Sequence, residues 1–376
     1  MIIAIPKEVK KDEYRVALPP DGVGELVRHG HRVLVQAGAG AGSSFDDSEY
    51  VDAGASIYAE VDRLWRDAEM VIKVKEPQPS EYGFLRADLI LFTYLHLAAE
   101  ESLTKAMCDS GVAGVAYETV EDDEGRLPLL EPMSEVAGRM ASQVVAHYLT
   151  KHENGRGVLM GGVPGVRPAQ VAILGGGTVG TNAARIALGM GAQVTLLDIN
   201  LERLRYLDEV MPGNFSTLYS NSANIADVIR TSDAVIGSVL IAGARAPKLI
   251  TREMLKTMPR NSVIVDVAVD QGGCIETTHP TTHSDPTFMV DGVLHYGVAN
   301  MPGAVPRTSS LALSNATLRY MLRIADKGLI PALHADPGLL KGLNTYGGHL
   351  TYQAVAQAFD MKYTSPENAL KSMVTI

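Results

Sequence analysis

The residues of this chain that could do chemistry fall into two sets. The first is a glycine run, Val171-Ala172-Ile173-Leu174-Gly175-Gly176-Gly177-Thr178-Val179-Gly180. It spells G-x-G-x-x-G on Gly175, Gly177 and Gly180, after an apolar strand-like run and before an alanine-rich stretch, 182–190. In that setting the first glycine allows the tight turn out of the strand and the second lets backbone approach a pyrophosphate. The third lets the helix pack close on the sheet. Thr178 and Val179 open the helix, whose free N–H groups and positive end suit phosphate. Asp198 closes the next apolar run, 18 residues past Gly180. An acid there accepts hydrogen bonds from ribose hydroxyls and repels a 2′-phosphate, so the motif predicts NAD rather than NADP. Arg203 and Arg205 leave a second reading open, because an arginine can serve a 2′-phosphate; they can equally be solvated helix charges.

The second set lies at the ends of predicted strands, where α/β sheets place ligand groups. Arg15 follows the first strand. Lys75 ends Val71-Ile72-Lys73-Val74-Lys75-Glu76-Pro77, and His96 follows Phe92-Thr93-Tyr94-Leu95. Asp270 closes Val265-Asp266-Val267-Ala268-Val269-Asp270, before Gln271-Gly272-Gly273. If the nucleotide exchanges hydride with a small acid, one cation must hold the acid's carboxylate and another group must move a proton. Arginine offers a planar fork matched to a carboxylate and lysine a point charge. Histidine, with an ordinary pKa of about 6.5, shuttles protons near neutrality. Each residue also has a plainer reading: a solvated lysine, a structural histidine, an aspartate capping a glycine turn.

The elements that must position these groups alternate. Residues 2–6, 32–36, 71–74, 89–94 and 112–117 read as short strands, with helical stretches such as 22–29 and 100–110 between them. This is the signature of parallel βαβ units. No glycine fingerprint follows any of these strands, so the first half is not expected to hold a pyrophosphate. Ser134 reads as the N-cap of a long helix over 135–151. A second βαβ series then carries the fingerprint, with strands at 171–174, 193–197, 234–236 and 262–265. After about 305 the chain turns mainly helical, for example 315–325, and is expected to return to the first half. The prediction is an α/β protein of two Rossmann-type domains with parallel sheets. The discontinuous substrate domain is 1–128 plus 305–376, and the inserted NAD domain is 129–304. Two crossings predict a hinge, with the active site in the cleft between the domains.

Composition fits this and removes alternatives. The chain has 376 residues, 46% of them hydrophobic, which suits two domains rather than one. A formal charge of -10 argues against nucleic acid. Two cysteines, Cys108 and Cys274, make neither a disulfide framework nor metal-ligand spacing, so no metal is expected. No basic leader or membrane-length apolar run is visible, and the expected location is the cytoplasm.

Several motifs taken together, in order over residues 1 to about 360, resemble the alanine dehydrogenases. They are Val-Lys-Glu-Pro with Lys75, Tyr-Leu-His-Leu with His96, Glu131-Pro132-Met133-Ser134, the glycine run, Val-Asp-Val-Ala-Val-Asp-Gln-Gly-Gly, and Val298-Ala299-Asn300-Met301-Pro302-Gly303. The resemblance implies reversible NAD-dependent oxidative deamination of L-alanine to pyruvate and ammonium. It implies Arg15 and Lys75 as substrate-binding residues and His96 with Asp270 as the catalytic pair. Ser134, Asp198, Arg203, Ser220, Val239, Leu240, Asn300 and Met301 are implied to line the cofactor site, and the assembly is implied to be a homohexamer. Two similar families remain alternatives: the nucleotide-binding subunit of a proton-pumping transhydrogenase, and a saccharopine-type amino-acid dehydrogenase. A non-catalytic NAD sensor would have no use for Arg15, Lys75, His96 and Asp270 together.

Overall fold

The computed structural model describes residues 1–239 and 246–372. The chain divides into two compact units, Met1–Met133 with Val305–Ile376, and Ser134–Ala304. The strands in chain order are β1 (Ile2–Ile5), β2 (Arg32–Gln36), β3 (Ser56–Tyr58), β4 (Met70–Ile72), β5 (Ile90–Thr93) and β6 (Ala113–Ala116). In the second unit they are β7 (Gln170–Leu174), β8 (Gln193–Asp198), β9 (Phe215–Tyr219), β10 (Ala234–Gly237), β11 (Val263–Asp266), β12 (Thr287–Val290) and β13 (Val293–Tyr296). Two more, β14 (Leu343–Tyr346) and β15 (His349–Leu350), follow the return to the first unit.

The first sheet runs β15-β14-β6-β5-β4-β1-β2-β3, and the second runs β12-β13-β11-β10-β7-β8-β9. Within each, six strands pair in parallel in the Rossmann order 3-2-1-4-5-6, and only the added edge strands, β14 with β15 and β12, are antiparallel. Strand order reverses at β1/β4 in one sheet and at β7/β10 in the other. Carboxyl ends of strands at such a reversal leave a crevice for ligand groups.

The strand sequences explain why both faces are covered. β4, β6, β10, β11 and β13 are buried throughout, as continuous apolar strands between helical layers should be. In β7 the side chains alternate: Val171 and Ile173 join one core layer, Ala172 and Leu174 the other. Edge strand β9 is largely exposed and carries serine and threonine, which hid it from a search for apolar runs.

The long helix begins at Glu131, not after Ser134, and ends at Tyr148. Pro132 is its second residue, where a missing N–H costs nothing. Ser134 therefore lies within the first turn rather than capping it. The helix Pro306–Lys327 anchors the loop after β1, since the Ser310 hydroxyl accepts from the Val16 N–H at 2.9 Å.

Candidate active site

Three predicted residues of the first unit lie on loops leaving the carboxyl ends of neighbouring strands: Arg15 after β1, Lys75 after β4, His96 after β5. Arg15 is buried, and its Nε and Nη2 each donate to a carboxylate oxygen of Glu13 at 2.6 Å. This planar two-bond pair takes one edge of the guanidinium. Nη1 donates to Met133 Sδ at 3.1 Å, a weak acceptor that an incoming carboxylate would outcompete.

Lys75 is held by its backbone. Its N–H donates to Glu8 at 3.3 Å, the preceding Val74 N–H donates to the same oxygen at 2.6 Å, and its carbonyl accepts from the Thr93 hydroxyl at 3.0 Å. Glu8 and Glu81 in turn pair with Lys73, wholly buried, at 3.1 and 2.9 Å. Among the described residues, no hydrogen bond or ion pair reaches the Lys75 ammonium. Burial, and next the charge of Arg15, hold its pKa below the ordinary lysine value.

His96 adopts a left-handed backbone conformation, φ 48° and ψ 34°, which costs a non-glycine residue about 1–2 kcal/mol. Glu118, just past β6, holds it there: its carboxylate accepts from the N–H groups of His96 at 2.6 Å and Leu95 at 3.0 Å. The His96 ring stacks on Tyr94 at 5.8 Å and keeps access to solvent. Crowding by surrounding protein is the largest cause lowering its pKa, and the Glu118 charge opposes it.

The second unit carries the nucleotide-type loop. A Cβ on Gly180 would lie 1.9 Å from the Gly175 carbonyl oxygen, and one on Gly175, at φ 102°, would press on Ser238 and Val239 at 3.0 Å. Gly177 differs, because a Cβ there would meet nothing within 4 Å. Its lack of a side chain serves no packing inside the protein and leaves room for something outside it. The helix that follows, Thr178–Gly189, has no side-chain cap on its first N–H groups. The Asp198 carboxylate accepts from Gly176 N–H at 2.6 Å and Asn200 N–H at 2.8 Å, and the Ser220 N–H donates to the Asp198 carbonyl at 2.9 Å. A carboxylate has about four acceptor sites, so ribose hydroxyls can still be received. An open glycine, free helix N–H groups and this acid form a set that fits the phosphates and ribose of a nucleotide.

Arg203 does not lie loose beside this site. Its Nε donates to the Gly176 carbonyl at 2.7 Å and its Nη2 to the Thr181 hydroxyl at 2.8 Å, so it braces the glycine loop. Asp270 is exposed on a short turn after β11. Asn300 accepts at its carbonyl from His283 Nε2 at 2.8 Å. Met301 packs its side chain into the core of the second unit. Val239 packs over Gly175, Ser134 is half-buried in its helix, and Leu240 lies outside the described residues. The predicted residues thus form two groups. Arg15, Lys75 and His96 belong to the first unit, and the nucleotide residues with Ser134 and Asp270 belong to the second.

Comparison with known proteins decides the family. Residues 4–137 match the model described as "Alanine dehydrogenase/PNT, N-terminal domain", and residues 141–353 match its C-terminal counterpart. The chain belongs to the alanine dehydrogenase/PNT family. It is 57% identical over 363 residues to an alanine dehydrogenase of Halomonas elongata, covering 96% of this chain and 98% of that protein. It is 56% identical over 373 residues to an alanine dehydrogenase of Bacillus subtilis, covering 99% of this chain and 98% of that one. A solved L-alanine dehydrogenase superposes with a TM-score of 0.93 at 51% identity, covering 96% and 99% of the two chains. A transhydrogenase from Sinorhizobium meliloti is more distant, with a TM-score of 0.80 at 26% identity over 94% and 100%.

Four acids and one base of this family member escaped the sequence reading. Glu8 and Glu13 follow the first strand, Glu118 follows β6, Asp266 ends β11, and Lys248 lies 18 residues before Asp266. The rule that selected His96, a polar residue just past a buried strand, would also have selected Glu118 and Asp266. Among the described residues, no group of three or more His, Cys, Asp and Glu could hold a metal, and no helix is long and apolar enough to cross a membrane.

Proposed function

We propose that this chain is an amino-acid dehydrogenase that converts L-alanine, water and NAD to pyruvate, ammonium, NADH and a proton, reversibly. The observation that carries the reading is the Lys75 ammonium, held by its backbone and with no hydrogen bond or ion pair among the described residues, beside the Arg15 fork and the pre-set His96. A small 2-oxo acid complements these groups: its carboxylate can replace the Met133 sulfur at Arg15 Nη1, and its carbonyl oxygen can accept from Lys75. The near full-length identity to alanine dehydrogenases supports alanine as the amino acid.

Bound on Gly175, Gly177, Thr178, Val179, Gly180 and Asp198, NAD would supply the hydride acceptor. The chain's own residues do the rest. Arg15, oriented by Glu13, receives the substrate carboxylate on its remaining edge. Lys75, a compact cation in a dry site, polarises the carbonyl or imine carbon toward addition of water. His96, whose crowded surroundings favour the neutral ring, accepts the proton of that water at a ring nitrogen and returns it to the departing amine. Asp270 offsets the positive charge of the substrate iminium. The rim residues Ser134, Arg203, Ser220, Val239, Leu240, Asn300 and Met301 border the nucleotide, Arg203 through the glycine loop it braces. We assign the assembly as a homohexamer and the location as the cytoplasm, in keeping with the family resemblance.

The test is NADH oxidation with pyruvate, with and without ammonium. Oxidation that requires ammonium is the expected result. Equal rates without it would make the chain a hydroxyacid dehydrogenase and overturn the proposal.

A further inference from the structure

The turn that carries Asp270 is held from two sides by charged side chains. It leaves β11 at Asp266, passes through the short turn Val269–Gln271, and reaches Gly272 and Gly273, both at positive φ, 92° and 69°. On one side the buried Asp266 carboxylate accepts from the N–H groups of Ala268 and Ile275, each at 3.2 Å. A Cβ on Gly273 would lie 2.5 Å from that carboxylate, so only glycine fits. On the other side the Lys248 ammonium donates to the carbonyl oxygens of Gly272, Gly273 at 2.9 Å, and Ile275 at 3.1 Å. An ammonium has three N–H donors, and here all three go to backbone oxygens of one loop. Three carbonyls converging on one positive point is how backbone oxygens surround a bound monovalent cation.

We propose that Lys248 is a positioning residue: a tethered cation that fixes the Asp270 turn, and whose removal leaves a vacancy that small free cations can fill. The inference rests on reading Asp270 as part of the reaction machinery. Without the ammonium the three carbonyls repel one another, and two adjacent glycines give the turn wide freedom to relax. Displacement of a catalytic group by an ångström costs on the order of 100-fold in rate. Lys248 is exposed, so cations from solvent can reach the vacancy.

The experiment uses the full chain with Lys248→Ala, and Lys248→Met to keep the packing of the side-chain stem. Initial rates of alanine oxidation are measured with tetramethylammonium as the only added cation, then with potassium or methylammonium. The expected result is a kcat lower by about 10–100-fold, a nearly unchanged KM for NAD, and an unchanged thermal melt. Potassium or methylammonium should restore kcat saturably, whereas tetramethylammonium, too large for three carbonyls, should not. The parent enzyme should not respond. Either variant with the parent's kcat, or a loss that no small cation relieves, would overturn the inference. Asp270→Asn separates the two claims. If it retains kcat, the reading of Asp270 itself fails; if it is inactive while Lys248→Ala is fully active, only the role of Lys248 fails.

Discussion

Replacing Glu118 with alanine should slow turnover while leaving nucleotide binding intact. Glu118 belongs to the first unit, whereas the glycine loop belongs to the second. Its carboxylate accepts two backbone N–H bonds, from His96 at 2.6 Å and Leu95 at 3.0 Å, and these hold His96 at a φ of 48°. A hydrogen bond to a charged group contributes about 1.5–3 kcal/mol. The released N–H groups lie near solvent and recover part of that from water, so the net loss is about 2 kcal/mol. Relaxation of the left-handed histidine adds about 1 kcal/mol in favour of leaving. The sum lowers occupancy of the active His96 conformation by roughly 100-fold, at 1.4 kcal/mol per factor of ten. The expected outcome for Glu118→Ala is a kcat for alanine oxidation reduced by about that factor. Glu118→Gln, which keeps one acceptor oxygen, should fall between the two. Steady-state rates measure this, with NADH fluorescence titration and thermal melts to show that binding and fold survive. A well-folded Glu118→Ala within twofold of the parent in kcat would refute the argument, because His96 would then hold its position unaided.

Four further outcomes follow from the same structure. His96 is held below the ordinary histidine value of 6.5, so the acid limb of kcat for alanine oxidation should lie below that pH; Glu118→Gln removes a charge that raises the pKa and should move the limb further to acid. Asp198→Ala should lower the ratio of kcat/KM for NAD over NADP, since a repulsive charge and a ribose acceptor both go; an unchanged ratio would show that Asp198 does not face the ribose. Lys75 has a lowered pKa that a bound anion should raise, so pyruvate binding at alkaline pH should take up protons, and calorimetry in buffers of different ionisation enthalpy should show this uptake vanish in Lys75→Met. His295 is fully buried, donates from Nδ1 to the Val293 carbonyl at 3.0 Å and receives the Thr277 hydroxyl at Nε2, and burial lowers its pKa to about 4. The folded form therefore resists protonation, stability should decline as pH falls from 6.5 toward 4 by up to about 3 kcal/mol, and His295→Gln should flatten that part of the melting curve.

The nucleotide loop was legible because everything it needs is local. Strand, glycines, helix and Asp198 lie within 171–198, and each glycine answers to a steric fact a few residues away, such as Gly180 against the Gly175 carbonyl. The substrate side was legible only as a set of cations after strands. What fixes those cations comes from far along the chain: Glu8 reaches the Val74 N–H across 66 residues, and Glu118 reaches His96 across 22. A single sequence gives no sign of such pairings until the strand order is known. The fold shows the same division. Most central strands with continuous apolar runs are visible, whereas β3, β9, β12 and β15 are short or exposed edge strands, and β13 and β14, though interior, are short and carry polar residues, so propensity alone does not separate them from loop. Ser134 was misplaced as a cap because serine before a helical pattern is a local signal, and Pro132 two residues earlier was the better one.

The carboxylates that sequence reasoning passes over also set the charge that a ligand would meet here. In the first unit Arg15 is matched by Glu13, Lys73 by Glu8 and Glu81, and Lys10 by Glu76. A charge in a poorly solvated site is costly unless paired, so each pair makes its cation tolerable. Lys75 makes no such pair among the described residues, and burial, with the charge of Arg15 next, lowers its pKa while Glu76 and Glu13 oppose the shift. Counted together, the four cations Arg15, Lys73, Lys10 and Lys75 face four carboxylates, Glu13, Glu8, Glu81 and Glu76, so the cluster is balanced and favours a ligand of low net charge. A zwitterionic amino acid would add no net charge to such a cluster, whereas a dicarboxylate would leave it strongly negative.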